Sequence, residues 1–152
     1  MYQRVLLATD ETRQSAIALR EGALLARQCR ASVFLLVVTE RGAGHLVADG
    51  VHPLPPQTQG VALLQQGLDR LKKLGLEAAG SVAIGEPALV IADAARRFRA
   101  DLVVVGHRRQ HLLDRWWSGA SGAYIVDNVA CSVLIARKEI SDAEFERAMA
   151  PP

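Results

Sequence analysis

Four short runs in this chain are apolar without interruption and rich in β-branched residues: RVLLAT (4–9), SVFLLVVT (32–39), DLVVVG (101–106) and CSVLIAR (131–137). Strands covered on both faces carry this continuous pattern, whereas half-exposed strands alternate. A weaker run, EAAGSVAIG (77–85), supplies a fifth strand. Helical patterns lie between them. Residues 11–30 are rich in Ala, Leu, Arg, Gln and Glu, all good helix formers. Val61, Leu64, Leu68, Leu71 and Leu74 mark the inward stripe of a second helix, with Gly75 as its stop. A third opens at Pro87 and aligns Ile91, Ala94, Ala95 and Phe98. A fourth is expected over 120–130, with Ile125, Val126 and Val129 inward.

This alternation predicts an α/β fold: an open five-stranded parallel sheet, doubly wound, with helices on both faces and right-handed crossovers. Ligands of such sheets bind beyond the carboxyl ends of the strands, where the strand order reverses. Here that means Thr9, Asp10 and the loop after Val105. At 152 residues the chain fits one domain, read as 1–139, followed by a short C-terminal helix and tail over 140–152. Ser141 and Glu144 have the spacing of a capping box for that helix. Residues 41–60 hold four glycines and three of the six prolines and read as a flexible loop.

Aromatics are only 5% of the residues, so the core is expected to be aliphatic. With 18 basic and 16 acidic side chains the net charge is +2, too small to draw the chain to nucleic acid or a membrane surface. Cys29 and Cys131 make neither a disulfide framework nor a metal-ligand pattern and read as thiols in a reducing compartment. No run approaches the ~20 apolar residues of a membrane span, and a cytoplasmic location is expected.

The basic character concentrates in GHRRQHLLDRWWSGASG (106–122), directly after the fourth apolar run. The elements around it, RVLLATDETRQSAIALREGALLAR, ASVFLLVV, GEPALVIADAARRFRADLVVVG and ACSVLIAR, together resemble the universal stress protein family over nearly the whole chain. The resemblance implies the Rossmann-like fold of the adenine nucleotide alpha hydrolases. It also implies a phosphate loop of the form glycine, two residues, glycine, nine residues, glycine, then Ser or Thr. Gly106 and Gly119 match the first and third glycines, whereas Arg109 replaces the second and Ala120 the hydroxyl residue.

Glycines in such a loop let the backbone approach ribose and phosphate, and the last precedes a helix whose free N–H groups suit an anion. A bulky residue at a positive-φ position costs on the order of 1 kcal/mol or more, and a lost hydroxyl contact about 1–3 kcal/mol. Together they weaken a micromolar site by roughly two to three powers of ten. Arg108 and Arg109 add positive charge, and Ser121 lies beside the missing hydroxyl. By the same resemblance Ala8 floors the pocket, Asp10 meets the ribose hydroxyls and the Val38 backbone meets the base, with Thr9 placed beside them by the strand-end rule. Asp10 also has the position of an N-cap for the first helix.

The resemblance further implies a homodimer through the last strand, Ser132, Val133, Leu134 and Ile135. An apolar edge strand without proline is otherwise an aggregation hazard; a C-terminal segment covering that edge is the alternative. Trp116 and Trp117 either pack against the fourth helix and the crevice or anchor a protein partner. His107, Arg108, Arg109 and His111 suit a phosphate, an acidic partner or a solvated turn. His107 and His111 lack further ligands, so no metal is expected beyond a nucleotide-associated Mg. No P-loop motif and no legible Ser–His–Asp spacing occur, and no catalytic residue is assigned. The expected function is therefore a non-enzymatic stress-response protein whose crevice binds ATP or AMP weakly or in altered form. The alternatives are a nucleotide-independent interaction module using the Trp116, Trp117, Arg108 and Arg109 surface, and a slow ATPase.

Overall fold

The uninterrupted apolar runs become the strands of a single sheet. The structure is a computed structural model and describes residues 1–10, 13–39, 56–106 and 125–150. Its elements are β1 (Arg4–Thr9), α1 (Arg13–Cys29), β2 (Ser32–Thr39), α2 (Pro56–Lys73), β3 (Ala78–Ile84), α3 (Pro87–Phe98), β4 (Leu102–Gly106), α4 (Ile125–Asn128), β5 (Ser132–Ala136) and α5 (Asp142–Met149). The five strands are parallel in the order β3-β2-β1-β4-β5. The order reverses between β1 and β4, as the sequence predicts.

Successive residues of the central strands serve opposite faces. Val5, Leu7, Leu35, Leu102 and Val104 are buried beneath α1, α2 and α5. Leu6, Ala8, Leu36, Val38, Val103 and Val105 are buried beneath α3 and α4. Because both faces are covered, neither can be polar, which is why the runs do not alternate. The α1 backbone sits close to the sheet at Gly22, where a Cβ would lie 2.7 Å from Val104 Cγ1 and 2.8 Å from Leu7 Cδ2.

Three helix expectations need correction. Val61 is 57% exposed, so it is not on the inward stripe of α2. That stripe instead runs through Gly60, Leu64, Gly67, Leu71 and Leu74; a Cβ on Gly67 would collide with Leu35. Counting apolar side chains overlooked glycines that face inward because there is no room for more. Val126 is 48% exposed, while Ile125 is buried and Val129 half-buried. The segment 41–60 is too long for a loop, since α2 begins at Pro56; residues 40–55 lie outside the described residues. Residues 120–124 of the expected fourth helix also lie outside them.

Helix α3 starts with Pro87 and ends at Arg99, whose φ of 55° lets its N–H reach the Ala95 and Arg96 carbonyls. Arg30 takes a φ of 54° just after α1. Two arginines thus occupy the left-handed region that glycine ordinarily fills.

Helix α5 carries the expected capping box: Ser141 Oγ accepts from Glu144 N at 3.2 Å, and the Glu144 carboxylate accepts from Ser141 N at 3.0 Å. Ile140 and Phe145 are buried in the same cluster as Leu7 and Leu35, so residues 140–149 pack with the sheet rather than trailing from it. The hydrogen bonds from the Ser141 backbone and hydroxyl hold the Glu144 carboxyl below its ordinary value of 4.5. A carboxyl depressed in the folded state contributes stability above its unfolded pKa and loses it as pH falls through the folded pKa. Amide protection at Glu144 and Phe145, with the intrinsic pH dependence of exchange divided out, is accordingly expected to fall as pH drops below 4.5, before β1 amides respond. Equal protection at those amides down to the global acid transition would contradict this.

Candidate functional site

The crevice the topology offers lies at the carboxyl ends of β1 and β4. Ala8 is level with Val105, so Thr9 and Gly106 leave the sheet side by side. Ala8 and Thr9 are buried, and Asp10 and Gly106 are half-buried. The Thr9 hydroxyl donates to the Asp10 carbonyl at 3.1 Å, tightening the turn out of β1. The β1–β2 register ends at Thr9 and Val37, so Val38 stands one residue past the end of β1. Its side chain is buried beneath α3, which leaves its backbone as the part it can present to a ligand. Of the residues expected around a ligand, the structure therefore brings together Ala8, Thr9, Asp10, Val38 and Gly106. Arg108, Arg109, Gly119, Ala120 and Ser121 lie outside the described residues, as do His107, His111, Trp116 and Trp117.

Near β5, burial raises the Cys131 thiol above its ordinary value of 9.0, and the nearby Asp101 charge adds to the effect. Cys131 and Cys29 are free and half-buried. Ser132 is exposed, whereas Val133, Leu134 and Ile135 are half-buried on the outer strand of the sheet. Glu21 of α1 reaches the far end of β5, accepting from Arg137 N and Lys138 N at 3.2 Å each.

Sequence reasoning missed Arg20. It lies on the inward side of α1 and is only 7% exposed. Its Nη1 donates to the Ile140 carbonyl at 2.7 Å, its Nη2 pairs with Asp142, and its guanidinium sits 5.4 Å from the centre of the Phe145 ring. Its Nε is buried with no acceptor among the described residues. An arginine between Leu19 and Ala23 on the apolar stripe of α1 was the available signal. Its partner, 122 residues away, was not legible.

The model of the universal stress protein family matches residues 1–137. The chain belongs to the universal stress protein family. This universal stress protein is 29% identical to the universal stress protein Sll1388 of Synechocystis sp. over 151 residues, which cover 90% of this chain and 98% of the relative. It is 25% identical to a universal stress protein A homolog of Haemophilus ducreyi over 142 residues, covering 89% and 96%. Its fold is similar to a universal stress protein solved in complex with cAMP (TM-score 0.65, 22% identity, 90% and 97% covered). It is also similar to an Arabidopsis thaliana family member solved with AMP bound (TM-score 0.63, 21% identity, 92% and 97% covered). Among the described residues, no helix of this universal stress protein is long and apolar enough to cross a membrane.

Proposed function

We propose that this universal stress protein is a cytoplasmic, non-catalytic stress-response protein whose crevice takes an adenine nucleotide weakly. The observation that carries this reading is the grouping of Asp10, the Val38 backbone and Gly106 at the reversal point of the sheet. A carboxylate at the end of β1 suits ribose hydroxyls, and a backbone edge beyond β1 suits the edge of a base. The relatives solved with cAMP and AMP support the ligand class.

Calorimetry with AMP and ATP, after removal of any carried-over nucleotide, tests the reading. Dissociation constants of roughly 0.1–1 mM are expected, and Asp10→Ala is expected to weaken them at least about tenfold. The double variant Arg109→Gly with Ala120→Ser restores the resembled loop and is expected to tighten binding by about a hundred- to a thousandfold. No heat from either protein up to millimolar nucleotide would remove the nucleotide and leave the tryptophan and arginine surface to be pursued. The half-buried Val133, Leu134 and Ile135 on an outer strand support pairing of two copies through β5. Sedimentation of the same samples should give twice the 16.4 kDa chain mass; a single-chain mass at micromolar concentration would refute the pairing.

A further inference from the structure

Three turns of one design close α1, α2 and α3 at the amino ends of the strands. In each, an N–H just past the helix returns to a carbonyl five residues back: Ala31 to Ala26 at 2.9 Å, Leu76 to Leu71 at 3.1 Å and Ala100 to Ala95 at 2.9 Å. The residue before that N–H is left-handed, namely Arg30 (φ 54°), Gly75 (φ 76°) and Arg99 (φ 55°). Glycine is the ordinary occupant, because a side chain strains this backbone. The turn that leads to the outer strand β3 uses glycine, whereas those that lead to β2 and β4 use arginine. Strands β2 and β4 flank β1, whose first residue is Arg4.

Arg4, Arg30 and Arg99 are exposed, and among the described residues none pairs with a carboxylate. Arg4 is already held in place: Nη1 donates to the Phe98 carbonyl at 3.0 Å, and the guanidinium lies 5.8 Å from the centre of the Phe98 ring. Of the acids at this end, Asp101 accepts from Gln3 N and Arg4 N, and Asp93 pairs with Arg96 and Arg97. The exposed Glu77 precedes β3, away from β1. Two strained turns thus carry cations to either side of a third, prepositioned one.

We infer that this end of the sheet docks an extended acidic segment of a partner protein across β2, β1 and β4. Guanidinium forks match carboxylates in geometry and charge. The starts of β2 and β4 are two inter-strand spacings apart, about 10 Å, and an extended chain repeats a side-chain direction about every 6.7 Å. Carboxylates at alternate positions therefore cover that width. Phe34 and Phe98 are half-buried and packed on each other, which leaves their rings poorly placed to stack on a base. Of the exposed large apolar side chains described, only Met1 belongs to this end, which offers little to enter a lipid surface. The proposal is independent of the nucleotide reading, whose crevice lies at the opposite ends of the strands.

The probe is an acetylated, amidated Glu-Ala-Glu-Ala-Glu peptide, titrated into the full ¹⁵N-labelled chain and followed by NMR. Saturable shifts are expected at Arg4, Arg30 and Arg99 but not at Thr9 or Gly106, with a dissociation constant of roughly 0.5 mM or tighter at low salt. Arg30→Gly and Arg99→Gly should each weaken binding about three- to fivefold, and together about tenfold or more. Their denaturation midpoints should equal or exceed that of the unaltered protein, since glycine suits both turns. Lost binding then cannot be ascribed to unfolding. Arg137→Gln removes an exposed arginine at the other end of β5 and should leave binding unchanged.

Absence of saturation by about 5 mM peptide would overturn the proposal. Equal binding of the Gln-Ala-Gln-Ala-Gln peptide would overturn it by showing that no carboxylate is recognised. An Arg137→Gln loss as large as that of Arg99→Gly would overturn it by showing that only net charge is felt. Tighter binding of a thymidine oligonucleotide of the same charge, or of phosphatidylglycerol vesicles, would overturn it in favour of nucleic acid or membrane.

Discussion

An Ile91→Ala variant is expected to lose about 2–5 kcal/mol of folding stability. Ile91 is fully buried at 0% exposure, on the side of α3 that packs over Ala8 and Val38. Truncation removes three carbons' worth of apolar transfer and leaves a space that the two central strands cannot fill, since β1 and β2 are each hydrogen-bonded on both sides. For a domain of this size the loss corresponds to a melting temperature lower by roughly 5–15 °C. Leu89→Ala, two residues earlier and 53% exposed, is the control and should change stability by no more than about 0.5 kcal/mol. Urea denaturation of both variants reads the difference. If Ile91→Ala cost no more than Leu89→Ala, α3 would not be seated on the sheet in this register. The same variant bears on function, because the side chains beneath α3 form the floor on which the Val38 backbone rests.

On the opposite face, Gly22→Val is expected to cost about 3 kcal/mol, at the upper end of the range for overpacking. The added Cβ alone would press on Val104 and Leu7, two fully buried side chains of adjacent central strands. Valine adds two methyl groups and a restricted χ1. Gly22→Ala separates the contributions: helix propensity favours alanine by about 1 kcal/mol, offsetting part of the crowding. The expected order of denaturation midpoints is wild type, then Gly22→Ala, then Gly22→Val. A Gly22→Val protein as stable as wild type would mean that α1 stands further from β4 than its backbone position implies.

The central sheet was legible because each inner strand is covered on both faces, so RVLLAT and SVFLLVVT carry a pattern that a helix or a half-exposed strand would not. The reversal between β1 and β4 matches the expectation, although alternation and right-handed crossovers by themselves also allow other doubly wound strand orders. Helix faces were less legible. Val61 and Gly60 are neighbours, and hydropathy favours the valine, but the distance between α2 and the sheet selects the residue without a side chain. Val126 misled in the same way, being an apolar residue on the outer side of a very short helix. At the candidate crevice, Asp10 and Val38 could be placed because they end strands. Arg20 could not, because its burial depends on Ile140 and Asp142, whose position beside α1 is a tertiary fact with no local periodicity.

The tie between Arg20 and Asp142 and the pairing of β1 with β4 also bear on how the chain is made. When synthesis has reached Lys73, β1, β2 and both flanking helices are present. The strand that closes the other side of β1 begins only at Leu102, and the groups that meet Arg20 appear at residues 140 and 142. At about 5–20 residues per second, the ribosome takes several seconds to deliver them. Throughout that interval the nascent chain carries an open apolar strand edge, and the arginine is without its ties to Ile140 and Asp142. The ribosome-bound intermediate thus exposes apolar surface of the kind that chaperones cover, and Ile140 and Asp142 complete the packing of a helix made some 120 residues earlier.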